Sequence, residues 1–423
     1  MDPNAFHILK ERGFIYQTTD DDALEEVLGK QKITCYIGFD ATADSLHIGS
    51  LVPIMGLVHM QKCGHRPIAL LGGGTTMVGD PSGKTEMRKM LTLDQIKASG
   101  EKIKKQLGHY LDFSADKALL LNNADWLVPL KYIEFLRDIG RHFSINRMLT
   151  AESVKLRLES GLSFIEFNYM LLQAYDFYVQ AHDYDCILQM GGQDQWGNIV
   201  AGIDLTRRMI NKQAYGITFP LITTTSGEKF GKSSGNAIWL DKRMTSPFDF
   251  YQYWRNTDDR DVTRYMGLFT FLPMNEAERL PKENVNRAKE ILAYEATKMT
   301  HGKDEAVKTY TAAVRQFGAS DPEGQIQTSS DITEITLDVD HTVPTVEMDF
   351  SVLKDGVWIV KLFVDAGLCS SNGEARRLIK QGGASLNEEK IQKDDLDVKE
   401  DNLKDGALLL RAGKKRYKRV VFK

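Results

Sequence analysis

Apolar runs of strand length recur at residues 33–39, 67–74, 186–192 and 217–223, the first three ending in or next to glycine, and amphipathic stretches of helical length separate them. Strand and helix alternating in this way predict an α/β fold with a doubly wound, parallel, Rossmann-like sheet over residues 1–245. From residue 246 to about 320 the pattern turns helical throughout, as at 285–300, where apolar residues return at three- and four-residue steps. An α-helical domain follows the sheet domain on this reading. Residues 321–349 hold eight acidic residues, no Lys or Arg, and many Ser and Thr. They read as an acidic linker, a mobile tether with one short strand at 335–339. Residues 350–423 then form a small α+β unit: two short helical patterns, strands at 384–391 and 407–410, and a basic end in which seven of the last thirteen residues are Lys or Arg.

With 423 residues and 42% apolar content the chain can build several cores, roughly two to four domains by length. Its net charge of −4 is an average over a split. Residues 351–423 carry 16 Lys/Arg against 11 Asp/Glu, a balance of +5, which leaves −9 for the first 350. Cys35, Cys63, Cys186 and Cys369 are scattered, with no C-x-x-C and no His at zinc-ligand spacing, so reduced thiols, a cytoplasmic location and no metal site are expected. The first sixteen residues mix charges with apolar positions, and no uncharged apolar run nears about 18 residues. Neither a signal peptide nor a membrane span is expected.

The candidate chemistry begins with two segments 182 residues apart (229 minus 47): Leu46-His47-Ile48-Gly49-Ser50 and Lys229-Phe230-Gly231-Lys232-Ser233. The first follows the strand at 33–39 and a polar turn, which places His47 and Gly49 in the opening turn of a helix. Free backbone N–H groups and the helix dipole favour phosphate there. Lys229 and Lys232 can set two ammonium groups on one polyphosphate; the alternative is a solvated loop. Gly227-x-x-x-Gly231-Lys232-Ser233 and Gly79-x-x-x-Gly83-Lys84-Thr85 imitate a P-loop, but each is one residue short of the spacing that builds its nest of N–H groups.

On the apolar helix at 164–179, Tyr169, Gln173 and Asp176 stand at i, i+4 and i+7 and share one face within about 60°. A buried carboxylate needs hydrogen-bond donors, so this face meets either an internal polar network or a polar ligand. Tyr36 points to the opposite face of its strand from Cys35 and Ile37 and can meet Asp176. Gly191-Gly192-Gln193-Asp194-Gln195 follows a strand at the carboxyl end where open α/β sheets bind ligands, and Asp194 is either a ribose acceptor or an ordinary cap. Gly72-Gly73-Gly74-Thr75, then Asp80, Lys84 and Arg88, form a polar loop that can close over phosphates; a plain surface loop is the alternative.

In this order, these segments resemble the class I aminoacyl-tRNA synthetases, in their bacterial tyrosyl branch, over essentially the whole chain. Residues 36–49, 79–84, 169–176, 191–197 and 229–233 carry the likeness, and the first and last look like the HIGH and KMSKS signatures of that class. Ser50 stands where HIGH ends in His, and Phe230-Gly231 where KMSKS has Met-Ser. The resemblance implies an enzyme that activates L-tyrosine with ATP, taken with Mg2+ and with no tightly bound cofactor, and then charges tRNA(Tyr). Carried onto this sequence, Tyr36 and Asp176 bind the substrate phenol, while Asp80, Tyr169 and Gln173 hold its α-amino group and Gln195 lies near its carboxylate. Asp40, Gly49, Gly192, Asp194, Phe230, Gly231 and Ser233 fall in the ATP site. Thr42, His47, Lys84, Arg88, Lys229 and Lys232 stabilise charge on the triphosphate. The family also implies a homodimer built through a helical insertion in the sheet domain, and anticodon binding by the helical domain.

The final unit looks like an S-four RNA-binding domain through residues 361–368 and 371–379. Arg376, Arg377 and Lys380 cluster on a helix there, and Lys414, Lys415 and Arg416 follow in the basic end, as phosphate contacts. Two alternatives are a tryptophanyl member of the same class and a non-catalytic RNA-binding protein on a synthetase scaffold.

Overall fold

A computed structural model describes residues 3–82, 91–151, 154–155, 158, 161–223, 230–233, 236–335, 345–354, 356–387, 389–404, 406–413 and 416–423. The chain forms two compact units, Met1–Gly302 and Lys303–Lys423. Among the described residues no helix is long and apolar enough to cross a membrane. The four cysteines are buried and none is in a disulfide.

The first unit is built on a sheet of β1 (Gln17–Thr18), β2 (Thr34–Phe39), β3 (Arg66–Leu71), β4 (Leu119–Asn122), β5 (Cys186–Gly192) and β6 (Tyr215–Phe219), in the order β1-β6-β5-β2-β3-β4. Neighbours among β2 to β6 are parallel, and β1 closes one edge antiparallel to β6. The inner strands β2 and β3 are buried at nearly every position, which is why they read as continuous apolar runs. The chain winds outward from β2 through β3 to β4, then returns to β5 and winds the other way to β6. The reversal between β2 and β5 is the switch point of a doubly wound sheet, and a crevice opens there at the carboxyl ends of the strands.

Three details differ from the sequence pattern. Strand β4 was not expected, because its apolar stretch is short, and neither was β1, with only two residues. The run expected at 217–223 ends at Phe219, since Pro220 has no N–H to give a ladder.

Phe164–Asp183 is the long helix expected at 164–179. Ser163 starts it with a capping box: its hydroxyl accepts the Glu166 N–H at 3.3 Å, and the Glu166 carboxylate accepts the Ser163 N–H at 3.1 Å. It packs along the helix Trp196–Ile210, where Gly202 lets Phe177 approach so closely that a Cβ would lie 3.0 Å from its ring.

Helices Pro247–Arg255, Val262–Phe269, Met274–Glu283 and Val285–His301 lie in the same compact unit as the sheet. One tie is Arg12, whose guanidinium donates to the carbonyls of Gly267, Thr270 and Leu272 at 3.0, 2.9 and 2.7 Å.

In the second unit, helix Lys303–Phe317 precedes a five-stranded sheet of Glu389–Lys390, Ala384–Leu386, Ala407–Ala412, Arg416–Phe422 and Thr345–Met348. Helices Ile359–Asp365 and Asn372–Lys380 cover a core that includes Val360, Phe363, Leu408, Leu410 and Val420. Three expectations are corrected here. The acidic linker does not run to 349, because Thr345–Met348 pairs in parallel with Arg416–Phe422. The basic end is that partner strand, with Val420 and Phe422 turned into the core, Arg416 exposed, and Lys418 and Arg419 half-buried. Residues 384–391 are a tight hairpin turned at Asn387, with φ +49°, and not one strand. Of the strand expected at 335–339, Ile335 is in no strand and residues 336–339 lie outside the described residues.

Replacing Arg12 with Met leaves three carbonyls without their charged donor. The first thermal unfolding transition should fall to lower temperature, by about 2 kcal/mol of stability for hydrogen bonds of this kind; differential scanning calorimetry reads it directly.

Candidate active site

A cavity of about 180 Å3 occupies the crevice at the carboxyl ends of β2, β3 and β5. Its two ends have different chemistry.

At one end Asp176 projects from the helix Phe164–Asp183 and is only 2% exposed. Its two oxygens each accept one bond, from the Asn123 side-chain amide at 2.9 Å and the Trp126 indole N–H at 2.8 Å. Asn123 follows β4 and is itself fixed: its amide carbonyl accepts the Gly74 N–H at 2.7 Å and its amide donates to the Thr75 hydroxyl at 3.0 Å. Tyr36, 1% exposed on β2, lines the same cavity, and its hydroxyl has no hydrogen-bond partner among the described residues. Burial raises the Tyr36 pKa well above the usual phenol value, and the Asp176 charge adds to this. Burial likewise pushes the Asp176 carboxyl up to about 7, against the two donated bonds and with help from Asp40. A phenol with a free hydroxyl beside a carboxylate with spare lone pairs can clasp one ligand hydroxyl, one group donating and the other accepting.

The other end is a polar relay. Asp80 accepts from the Gln195 amide at 2.8 Å and from the Ser82 N–H at 2.8 Å. Asn198, buried at the start of the helix Trp196–Ile210, donates to Gln173 at 2.9 Å and to Gln195 at 3.2 Å. Tyr169 and Asp40 also line the cavity. The face carrying Tyr169, Gln173 and Asp176 therefore does both things that its pattern allowed: it joins an internal network and lines a cavity.

The two distant signature segments meet through main chain. His47 precedes its helix in an extended conformation, and one 3-10 turn, Ile48–Ser50, separates it from Leu51–Lys62. The expectation that His47 lies in the helix's opening turn is corrected to this capping position, with its Nδ1 accepting the Gly49 N–H at 3.0 Å. Ile48 N–H donates to Ile238 O at 2.8 Å, Leu240 N–H to Leu46 O at 2.9 Å, and Ile238 N–H to Gly231 O at 2.8 Å. Gly231 has φ +86°, and a Cβ there would lie 2.6 Å from the Ile48 side chain, so only glycine fits.

Tyr36, Asp40, Asp80, Tyr169, Gln173, Asp176, Gly192 and Gln195 share the cavity. Asp194 instead lines a neighbouring cavity of about 600 Å3 with Arg147, Trp196 and Arg208. Thr42 is exposed on the turn after β2. Lys84, Arg88, Lys229, Lys414 and Lys415 lie outside the described residues, and Lys232 and Ser233 are described only as the backbone of a short strand paired with Asn236–Ala237. In the second unit Arg376, Arg377 and Lys380 are exposed on one helix, with Arg376 4.9 Å over the Trp358 ring. Arg416 donates to the Leu368 carbonyl at 2.8 Å.

Asn123, Trp126 and Asn198 were missed in the sequence. The first two follow an apolar run, 118–121, too short to be read as a strand; its polar Asn-Asn end was the available signal.

The family model "tRNA synthetases class I (W and Y)" matches residues 29–318, and the model of the Tyrosine–tRNA ligase SYY-like C-terminal domain matches 334–420. The chain belongs to the class I tRNA synthetases of the tryptophan and tyrosine type.

This synthetase is 55% identical to the tyrosine–tRNA ligase of Desulfosudis oleivorans over 98% of both chains, and 52% identical to that of Clostridium kluyveri over 99% of this chain and all of the relative. A C-terminally truncated mitochondrial tyrosyl-tRNA synthetase from Aspergillus nidulans superposes with TM-score 0.66 at 33% identity, covering 73% of this chain and 93% of that one.

The raised Asp176 pKa has a sign that can be checked. The folded synthetase keeps a proton that the unfolded chain, with its ordinary value of 3.8, has lost, so this group removes stability as pH rises towards about 7. Asp176→Asn should lose that part of the pH dependence and be the more stable protein at pH 8, which thermal melts from pH 5 to 8 will resolve.

Proposed function

We infer that the chain is a tyrosine–tRNA ligase, which joins L-tyrosine to ATP as tyrosyl-adenylate with release of pyrophosphate and then transfers tyrosyl to the 3′ end of tRNA(Tyr). The observation that carries this reading is the Tyr36 hydroxyl, without a partner among the described residues, beside buried Asp176, a pair that fits a phenolic hydroxyl. The substrate phenol donates to Asp176 and accepts from Tyr36. Its ammonium lies towards Asp80, Tyr169 and Gln173, and Gln195 near its carboxylate. That carboxylate attacks the α-phosphorus of ATP in line, and pyrophosphate leaves.

ATP, as its Mg2+ complex, is a substrate here. Asp40, Gly49, Gly192 and Asp194 meet the nucleotide, and Thr42, His47, Lys84, Arg88, Lys229 and Lys232 offset charge on its phosphates, with Phe230, Gly231 and Ser233 completing the loop. Catalysis is positioning and electrostatics, with no covalent enzyme intermediate.

The working protein is a homodimer in the cytoplasm. Tyr132, Ile133, Ile145 and Phe164, each at least 60% exposed, supply the apolar surface that a second copy covers. The helices of residues 246–320 bind the anticodon. Arg376, Arg377, Lys380, Lys414, Lys415 and Arg416 hold tRNA phosphates.

Two measurements test this reading. Pyrophosphate exchange across the twenty amino acids should proceed with tyrosine and not with phenylalanine or tryptophan, and Asp176→Ala should abolish it, because Tyr36 then meets the substrate hydroxyl alone. Exchange with tryptophan in place of tyrosine would assign the other branch of the family. For the second unit, replacing Arg376, Arg377 and Lys380 together by Gln should weaken tRNA binding and flatten the slope of log K against log salt by up to about 2 to 3, which filter binding over a KCl series measures.

A further inference from the structure

The dipeptide Phe230-Gly231 is gripped on two sides. On one, Gly231 lies on Ile48 and accepts from the Ile238 N–H, as described above. On the other, the Gly231 N–H donates to the Tyr253 hydroxyl at 2.9 Å. The Phe230 ring is seated among Tyr253, Trp254, Tyr265 and Phe269, with centroids 5.2 to 6.0 Å away, and it lies parallel to Phe269 within 5°. Tyr253 and Trp254 stand on Pro247–Arg255, and Tyr265 and Phe269 on Val262–Phe269. Trp254, Tyr265 and Phe269 are fully buried, so the ring rests on a close-packed floor with little freedom to shift.

Ring burial alone would hold the loop against the protein. It would leave free the rotation of the chain about that anchor. The hydrogen bond from the Gly231 N–H removes this freedom at the residue directly before Lys232 and two after Lys229. Gly231 gives the bond particular weight, because its positive φ leaves the backbone without a side chain of its own to fix it.

We propose that Tyr253 is a positioning residue for activation: its hydroxyl, backed by the Phe230 cluster, fixes the main chain at Gly231, one residue before Lys232 and two after Lys229 in the sequence. Tyr253 acts through those lysines and touches no substrate. The residues that hold the amino acid lie on other elements, β2, the segment after β3, the helix Phe164–Asp183 and the turn after β5, so tyrosine binding is independent of it. The inference rests on the reading of the chain as a tyrosine–tRNA ligase.

Tyr253→Phe keeps the ring and deletes only the acceptor. In single-turnover assays, tyrosyl-adenylate formation at saturating tyrosine should slow by about three- to tenfold, the range set by one backbone hydrogen bond, with a higher KM for ATP. Tyrosine affinity measured by equilibrium dialysis should stay within about twofold of wild type. Phe230→Leu should show the same split, and the double variant should lose less than the product of the two single losses, since both act on one loop. A wild-type rate in Tyr253→Phe, a tyrosine affinity that falls in step with the rate, or losses that simply multiply would each overturn the proposal. If the wild-type protein itself shows no tyrosine-dependent exchange, the functional reading fails instead.

Discussion

A carboxylate that is 2% exposed, standing on a helix against the middle of a sheet, must be answered by hydrogen-bond donors, and much of the site is the answer to Asp176. Asn123 and Trp126 are placed by the short strand β4, which runs beside β3, and Asn123 in turn fixes the turn that begins at Gly74. Tyr36 reaches the same cavity from β2. Three strands and one helix are thus committed to the surroundings of one side chain, and they converge at the switch point because the sheet reverses its winding there.

The proposed nucleotide side depends on a different constraint. Segments 182 residues apart are joined by main-chain bonds, from Leu46 and Ile48 to Leu240 and Ile238 and on to Gly231, so their relative position does not rely on long flexible side chains. A β-carbon at Gly231 would collide with Ile48. The glycine found where the KMSKS pattern has serine is thus a condition of this close approach.

Long apolar strands and the helix Phe164–Asp183 were legible because their patterns are strong and their burial two-sided. So were the residues of the cavity, read partly from helix periodicity and partly from family resemblance. What escaped was short or set by partners distant in sequence. Strand β4 has four residues, and its value lies in delivering Asn123 and Trp126 to a carboxylate about fifty positions later. Asn198 belongs to no motif in the sequence, and only the fold brings it to Gln173 and Gln195. The basic end of the chain was read as a tail because charge hid its alternation; Val420 and Phe422 point into a core that the sequence does not reveal without Thr345–Met348 beside it.

The raised pKa of Asp176 bears on how selectivity arises. Local rules favour an apolar residue at such a position, and the free protein keeps a carboxylate there with fewer donors than its oxygens can accept. The cost of that burial is already present before any ligand arrives. On the proposed function, a substrate that brings a hydroxyl would supply the missing donor and satisfy Tyr36 at once, so the gain on binding would include relief of a penalty built into the fold. Phenylalanine has the same ring and can fill the same space, yet it leaves the carboxylate and the phenol as they were while excluding the water that could have served them. Discrimination therefore depends less on contacts added for tyrosine than on two buried polar groups that no closely similar apolar substrate can satisfy.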